Sequence, residues 1–277
     1  MNRKLMFLRV LMIIGIAAVA VFAAMLVREL YIDRQSRSYY SDMLSEIETS
    51  PRKPPVTDAG DATLPDQPVQ PDRPDQHDTL DEGWTPYVDF DLLGAKYPGI
   101  VAWIKLEGDP ADNQGNPIDY PVMQYTDNDH FLSLLPDGTY HRSGSIFLDY
   151  RNNSDFSDKS ILIYGHESRT QEMFAALKNY RDQDYYDANP VIYLHTPQQD
   201  YMIVLFAGHL AHSQRDHPPL FFKDDEEFLD YIEGIRSISF FNSDVVVSAD
   251  DRIVSLCTCA YDFDEARLVL AGILIGY

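Results

Sequence analysis

Cysteine and basic residues are both scarce in this chain of 277 residues. Two cysteines are too few for a disulfide framework, and the 45% hydrophobic content is enough for one good-sized core. Lysine and arginine number 22 against 44 aspartates and glutamates, for a formal net charge of −22. This balance argues against nucleic-acid binding, because neutralising phosphates requires clustered Lys and Arg. The acidity instead predicts a solvated surface together with an acidic stalk.

An uncharged apolar run occupies residues 10–27. At ~1.5 Å per residue it would span about 27 Å, just enough for a hydrocarbon core. Arg3, Lys4 and Arg9 precede the run, so the positive-inside rule places residues 1–9 in the cytoplasm and the rest of the chain outside. We therefore expect a transmembrane anchor at 10–27. The alternative is a cleaved secretory signal with its cleavage site near Ala18-Val19-Ala20.

Residues 28–85 are predicted to form an extracellular helix followed by a stalk. Four apolar residues at helical spacing indicate an amphipathic helix over 30–48: Tyr40, Met43, Leu44 and Ile47. Its polar face has no lysine-rich stripe, which argues against a helix lying on the membrane surface. Residues 51–74 are rich in Pro, Asp and Gln, a composition typical of a semi-extended, disordered spacer.

Residues 86–277 carry the pattern of a mainly β domain. Short β-rich runs between turn residues predict eight strands, at 101–106, 118–123, 144–148, 160–164, 191–195, 201–207, 253–259 and 268–275. Few helices separate them: a short one before Tyr97, one near 171–179 and one at 224–236. So many strands with so few helices favour a closed or nearly closed eight-stranded barrel over a doubly wound sheet.

A cysteine, a histidine and an arginine each stand at the end of an apolar strand in this domain. Cys259 closes the strand at 253–259, His166 follows the strand at 160–164, and Arg267 opens the last strand. These are the parts of a thiol acyltransferase: a nucleophile, a group that moves protons and a guanidinium that can hold an oxyanion. The alternatives are a structural buried cysteine and an arginine paired with Asp264 or Glu265.

Cys257 lies two residues before Cys259, so the two Cα atoms would be ~6.6 Å apart on one face of a strand. That separation is at the upper edge of disulfide geometry, and parallel Cβ vectors do not converge. Zinc would need three or four ligands, and no paired histidines accompany the two thiols. We expect no metal site here and a free Cys257 thiol lining a groove.

The same residues resemble the sortases, membrane-anchored transpeptidases of Gram-positive bacteria. Residues 255–259 (SLCTC) are similar to the T-L-x-T-C motif of that family, with Ser in the leading position. Four further short segments are similar to segments of class B sortases and occur in the same order: VAWI at 101–104, IDYPV at 118–122, SIFLDYR at 145–151 and YGH at 164–166. The resemblance covers residues 88–277. It implies a sortase-like β-barrel with a helix in the connection between the strands ending at Ala207 and starting at Ile253.

By resemblance, Cys259 is the nucleophile, His166 the proton-transfer residue and Arg267 the oxyanion-stabilising residue. The segment from Asn128 to Leu132 is similar to one lining the peptide groove of class B sortases. Asn128, Leu132 and Tyr164 are thus candidate substrate-binding residues. Of the other histidines, His130 and His141 are in connecting loops and could border the groove.

The function implied is cleavage of a sorting motif near the carboxyl terminus of secreted proteins, through a thioester, with transfer to a peptidoglycan precursor amine. No organic cofactor or metal is implied. The catalytic domain is expected outside the cell, on a single-pass anchor. Two alternatives stay open: a pilus-type enzyme that uses a lysine of another subunit as the acceptor, and a non-catalytic binding module on a sortase fold. The motif itself, Asn-Pro-x-Thr-like or Pro-x-Thr-Gly-like, is not fixed by the sequence.

Overall fold

The computed structural model describes residues 3–48, 88–106, 118–167, 172–260 and 262–277. The chain divides into two compact units, Met1–Thr49 and Ser50–Tyr277. The predicted stalk at 51–74 lies outside the described residues.

The first unit is one long helix, α1, at Arg3–Glu48. The helix predicted for 30–48 is thus the last part of a longer one, in which Tyr40, Met43 and Ile47 are buried and Leu44 is half-buried. Along the described residues no helix is both long and apolar enough to cross a membrane. The anchor expected at 10–27 is therefore not confirmed. The helix containing that run continues unbroken through charged residues as far as Glu48.

The second unit is built around eight strands that close into a barrel, as predicted. The strands are β1 (Ile100–Lys105), β2 (Asp119–Met123), β3 (Ile146–Leu148), β4 (Ser160–Tyr164), β5 (Val191–His195), β6 (Asp200–His212), β7 (Ile253–Cys259) and β8 (Ala266–Gly276). Around the barrel their order is β1-β2-β3-β4-β7-β8-β6-β5. The β2–β3 and β4–β7 pairs are parallel, and the other pairs are antiparallel.

Three predicted strands have the observed bounds and others differ at their ends. β3 begins two residues later than predicted because Gly144 has a left-handed φ of 52°, and a side chain there would meet the backbone oxygen of Phe131. β6 runs five residues beyond the predicted end at Ala207 and pairs with β8 from Tyr201 to His212, with a register shift between Leu205 and Ala207.

Short helices occupy the connections. They are α2 (Phe90–Lys96), a 3₁₀ helix (Ala175–Arg181), α3 (Gln183–Ala188) and α4 (Asp225–Ser237). The helix predicted near 171–179 is the 3₁₀ helix, shifted along the chain, and α3 was not predicted. Asp224 caps α4 by accepting a hydrogen bond from the Glu227 amide at 3.0 Å, an arrangement typical of helix starts.

Helix α4 covers the barrel strands on the side where β7 and β8 present their odd-numbered residues. Phe228, Ile232 and Ile235 of α4 form one buried cluster with Ile253 of β7 and Ala271 of β8. Burying a large apolar side chain contributes roughly 1.5–3 kcal/mol, so this cluster holds the β6–β7 connection firmly against the sheet. The same face of β7 carries both cysteines further along the strand.

Candidate active site

The end of β7 lies between the ends of β4 and β8. In the parallel β4–β7 pair Tyr164 is opposite Cys257, and the ladder extends one residue further through a 3.1 Å bond from the Gly165 amide to the Cys257 carbonyl. His166, the next residue, is therefore level with Cys259. In the antiparallel β7–β8 pair Cys259 is opposite Arg267.

The three sequence-predicted residues His166, Cys259 and Arg267 thus form one row across adjacent chain segments. Neighbouring strands are ~4.8 Å apart, so the row spans about 10 Å at the backbone. All three side chains are half-exposed. This arrangement offers a thiol, an imidazole and a guanidinium to the same region of the surface.

His166 follows Gly165, which packs closely against the ring of Phe174. A Cβ on Gly165 would be 2.6 Å from the Phe174 ring, so only glycine fits. The His166 carbonyl accepts a 3.1 Å hydrogen bond from the Phe174 amide, and its Nε2 is 2.7 Å from the Leu132 carbonyl oxygen. Because a carbonyl only accepts, Nε2 carries the proton and Nδ1 is left for proton exchange.

The two thiols are free but differ in environment. Cys257 is buried among Leu162, Leu220 and Val269, and burial raises the pKa of its thiol to about 12. Cys257 therefore lies beneath the surface, and the prediction that its thiol lines a groove is wrong. Cys259 is half-exposed, so the two positions of the motif are chemically distinct.

Arg267 is not held by the acidic residues that precede it. Its Nη1 donates to the Ala266 carbonyl at 3.0 Å, and residues 262–277, all described, include no ion pair between Arg267 and Asp264 or Glu265. The Glu265 carboxylate instead accepts a hydrogen bond from the Ser213 hydroxyl, and the Ser213 amide donates to the Glu265 carbonyl at 3.0 Å. The Arg267 charge lowers the pKa of the Cys257 thiol, against the larger effect of burial.

The candidate substrate-binding residues adjoin this row. Leu132 contacts His166 through its carbonyl oxygen, and the residue is 45% exposed. Asn128 and Tyr164 are joined through the buried Asp149: Asn128 Nδ2 donates to Asp149 Oδ2 at 3.0 Å and the Tyr164 hydroxyl donates to the same oxygen at 3.1 Å. Burial and the nearby Asp149 charge raise the pKa of the Tyr164 hydroxyl.

No family model matches the sequence. The chain is similar to Sortase B of Listeria monocytogenes, at 36% identity over 160 residues, which are 57% of this chain and 65% of that protein. A solved sortase B in complex with triglycine matches with a TM-score of 0.61 and 29% identity, over 68% of this chain and 85% of that one. The solved sortase B of Clostridium perfringens matches with a TM-score of 0.61 and 31% identity, over 67% of this chain and 98% of that one.

The chain belongs to the class B sortases. It spans just under two thirds, 65%, of the Listeria protein's length. As the family resemblance implied, this class B sortase carries a helix, α4, in the connection between β6 and β7.

Two residues near the candidate site of this sortase were missed from the sequence. Asp149 directly follows β3 and is fully buried, and His217 Nε2 is 2.8 Å from the Tyr164 hydroxyl. A carboxylate immediately after an apolar strand could have drawn attention to Asp149. His217 offered no such signal, because its contact with Tyr164 joins positions 53 apart in the chain.

The other histidines of the sortase domain have different surroundings. His130 stacks on Tyr125 with ring centroids 3.8 Å apart, whereas His141 is buried and accepts a hydrogen bond from the Ser143 amide. His209 is buried, and burial lowers its pKa to about 4. Over the described part of the chain, no three His, Cys, Asp or Glu residues are grouped so as to hold a metal ion.

Proposed function

We propose that this class B sortase is a cysteine transpeptidase that cleaves a sorting motif near the carboxyl terminus of secreted proteins. The observation that supports this is the row formed by His166, Cys259 and Arg267 across the ends of β4, β7 and β8. The contrast between the buried Cys257 and the half-exposed Cys259 supports Cys259 as the nucleophile.

In the proposed reaction a Cys259 thiolate attacks the scissile carbonyl while His166 is protonated. The tetrahedral oxyanion accepts hydrogen bonds from the Arg267 guanidinium, whose planar fork of donors suits it. The carbon–nitrogen bond then breaks, the leaving amine takes the proton from His166, and a thioester remains. The incoming amine gives a proton to His166 as it attacks the thioester, which releases the thiolate and restores the starting state.

The acceptor in this proposal is an amine of a peptidoglycan precursor. A related sortase B has been solved in complex with triglycine, a peptide with a free amino group. That finding motivates triglycine as the acceptor in the first assay.

The experiment incubates the full-length protein with a quenched-peptide library of sorting-motif pentapeptides, with and without triglycine, and identifies the products by mass spectrometry. We expect cleavage without triglycine and a triglycine-linked product with it. A parallel incubation offers a lysine-containing protein as the acceptor, and transfer only to its lysine would support the pilus-type alternative. If no peptide is cleaved and a thiol-reactive substrate analogue does not label Cys259, the result would support the alternative of a non-catalytic binding module.

The location of the enzyme belongs to the same proposal and rests on the sequence alone. The apolar run at 10–27 with Arg3, Lys4 and Arg9 before it predicts an uncleaved anchor, with the catalytic domain outside the cell. Fractionation of cells should recover the full-length chain with the membranes. Recovery in the culture medium with an amino terminus after Ala20 would show secretion instead.

A further inference from the structure

Asp149 is a fully buried carboxylate that has no part in the reaction proposed above. A buried charge is costly unless it is paired and fully hydrogen-bonded. Burial alone would raise its pKa, but hydrogen bonds from Arg151 and Asn128 outweigh that effect and hold the pKa at about 2. Asp149 is therefore an anion at neutral pH, with acceptor oxygens fixed inside the protein.

Both carboxylate oxygens of Asp149 bind Arg151, and Oδ2 binds two further groups. Arg151 makes a bidentate contact, from Nε to Oδ1 at 2.8 Å and from Nη2 to Oδ2 at 2.7 Å. Oδ2 also accepts the Asn128 amide at 3.0 Å and the Tyr164 hydroxyl at 3.1 Å. One oxygen atom thus joins a loop after β2 to the end of β4.

These bonds set the direction of two of the three candidate substrate-binding side chains, Asn128 and Tyr164. The Asn128 Oδ1 is occupied by the Tyr150 amide at 3.0 Å, so the Asn128 side chain is held at both ends. The Tyr164 hydroxyl donates to Asp149 Oδ2 and is also 2.8 Å from His217 Nε2, so two groups hold it in place.

Tyr164 lies beside the candidate catalytic residues, so the direction of its side chain can affect peptide binding. It is opposite Cys257 in the β4–β7 pair, two residues before His166, and half-exposed beside the row of candidate catalytic groups. A peptide aligned with Cys259 would pass this side chain. Shifting its ring or hydroxyl would change peptide binding without moving the thiol.

We infer that Asp149 is a positioning residue for the peptide substrate, acting through Asn128 and Tyr164. This inference rests on the proposed transpeptidase function. Asp149→Asn replaces a charged acceptor with an amide that has a donor facing the donors of Asn128 and Arg151. We expect the KM for the sorting peptide to rise about ten- to a hundredfold, the effect of losing a hydrogen bond to a charged group. The turnover number should change much less, because the lost interaction serves binding.

The matched control is Asp158→Asn. Asp158 is in the same connection and accepts hydrogen bonds from Asn152 and Asn153, and among the described residues it has no hydrogen bond to Asn128 or Tyr164. The control variant should leave the KM near the wild-type value, because its hydrogen bonds go to Asn152 and Asn153. Labelling of Cys259 by a small thiol reagent should be the same in both variants.

A double-mutant cycle with Tyr164→Phe tests the route of the effect. If Asp149 acts through the Tyr164 hydroxyl, Asp149→Asn should raise the KM much less in the Tyr164→Phe background than in the wild type. Full additivity, or a normal KM in Asp149→Asn, would overturn the inference while leaving the proposed function intact. If Asp149→Asn does not fold, Tyr164→Phe alone must raise the KM, and an unchanged KM would overturn the inference. A wild-type protein that cleaves no peptide would overturn both.

Discussion

Replacing Arg267 with lysine separates an oxyanion-stabilising role from a structural one. Arg267 is opposite Cys259 in the β7–β8 pair, where Cα atoms are ~4.5–5.5 Å apart. Of the guanidinium N–H groups, only one has a hydrogen bond among the described residues, from Nη1 to the Ala266 carbonyl. Most of the donor fork is therefore available to a tetrahedral intermediate formed at Cys259.

The expected loss follows from the geometry of the donors. Lysine keeps the charge and can still bond the Ala266 carbonyl, but it lacks a planar fork. Removing one oxyanion donor costs ~10²–10³ in turnover, or about 2.7–4 kcal/mol, so Arg267→Lys should reduce the turnover number by that factor. The KM should change far less, because the interaction forms mainly in the transition state.

Stability should hardly change, because the variant loses no ion pair to Asp264 or Glu265. A partly exposed substitution of this kind costs below ~0.5 kcal/mol, or roughly 1–2 °C in melting temperature. Ser213→Ala is the matched control, since it removes the hydroxyl bond to Glu265 and leaves Arg267 in place. Turnover and melting temperature are measured on the wild type and both variants. A lysine variant with near-native turnover would refute the oxyanion role and leave Cys259 and His166 alone as the catalytic pair.

Cys259→Ala should abolish transpeptidation, whereas Cys257→Ser should keep most of it; the reverse result in the peptide assay would mean that the thiols are wrongly assigned. A thiol reagent at about pH 8 should label the native protein once and the unfolded protein twice, because burial raises the pKa of Cys257 to about 12; two labels on the native protein would contradict that burial. Gly165→Ala should destabilise the fold by about 1–3 kcal/mol, measured by calorimetry, because the new methyl group would contact the Phe174 ring. It should also lower the turnover number in the peptide assay, because it would displace the neighbouring His166. The folded-state pKa of Asp149 is about 2, below the ordinary 3.8, so its ionised form stabilises the fold by roughly 2–2.5 kcal/mol above pH ~4. This contribution is lost as the pH falls towards about 2, and acid unfolding of Asp149→Asn should lack that component.

Strands whose ends coincide with turn residues could be predicted from the sequence. β4, β5 and β7 have the predicted bounds, and each is a short, mainly apolar run that starts directly after a charged residue or a proline: Lys159, Pro190 and Arg252. The prediction of β6 ended too early, at Ala207, directly before Gly208. In the structure a Cβ on Gly208 would be 2.8 Å from the Leu270 side chain, so this glycine permits close packing inside a strand that continues to His212.

The short helix α3 could not be predicted for a different reason. It is six residues long, Gln183–Ala188, which is too short to show a helical period. It begins where the Asp182 carboxylate accepts the Asp184 amide at 2.9 Å, and it is stabilised by the stacking of Tyr186 on Phe241 at 4.0 Å. The ring contact depends on a residue 55 positions away (241 − 186), which no local pattern reveals.

In the candidate site, too, the residues positioned by local structure could be predicted from the sequence, and those positioned by distant contacts could not. Cys259, His166 and Arg267 are each next to a strand end, so a strand pattern and a short motif are enough to bring them to notice, and the backbone ladder then sets their register. Tyr164 and Asn128 depend instead on one oxygen of Asp149, whose partners come from separate parts of the chain. A hydrogen bond to a buried charge loses most of its value when the two atoms separate, whereas a strand ladder shares its energy over many bonds. Substitutions around Asp149 should therefore change the KM for the peptide substrate, while the reactivity of the Cys259 thiol stays the same.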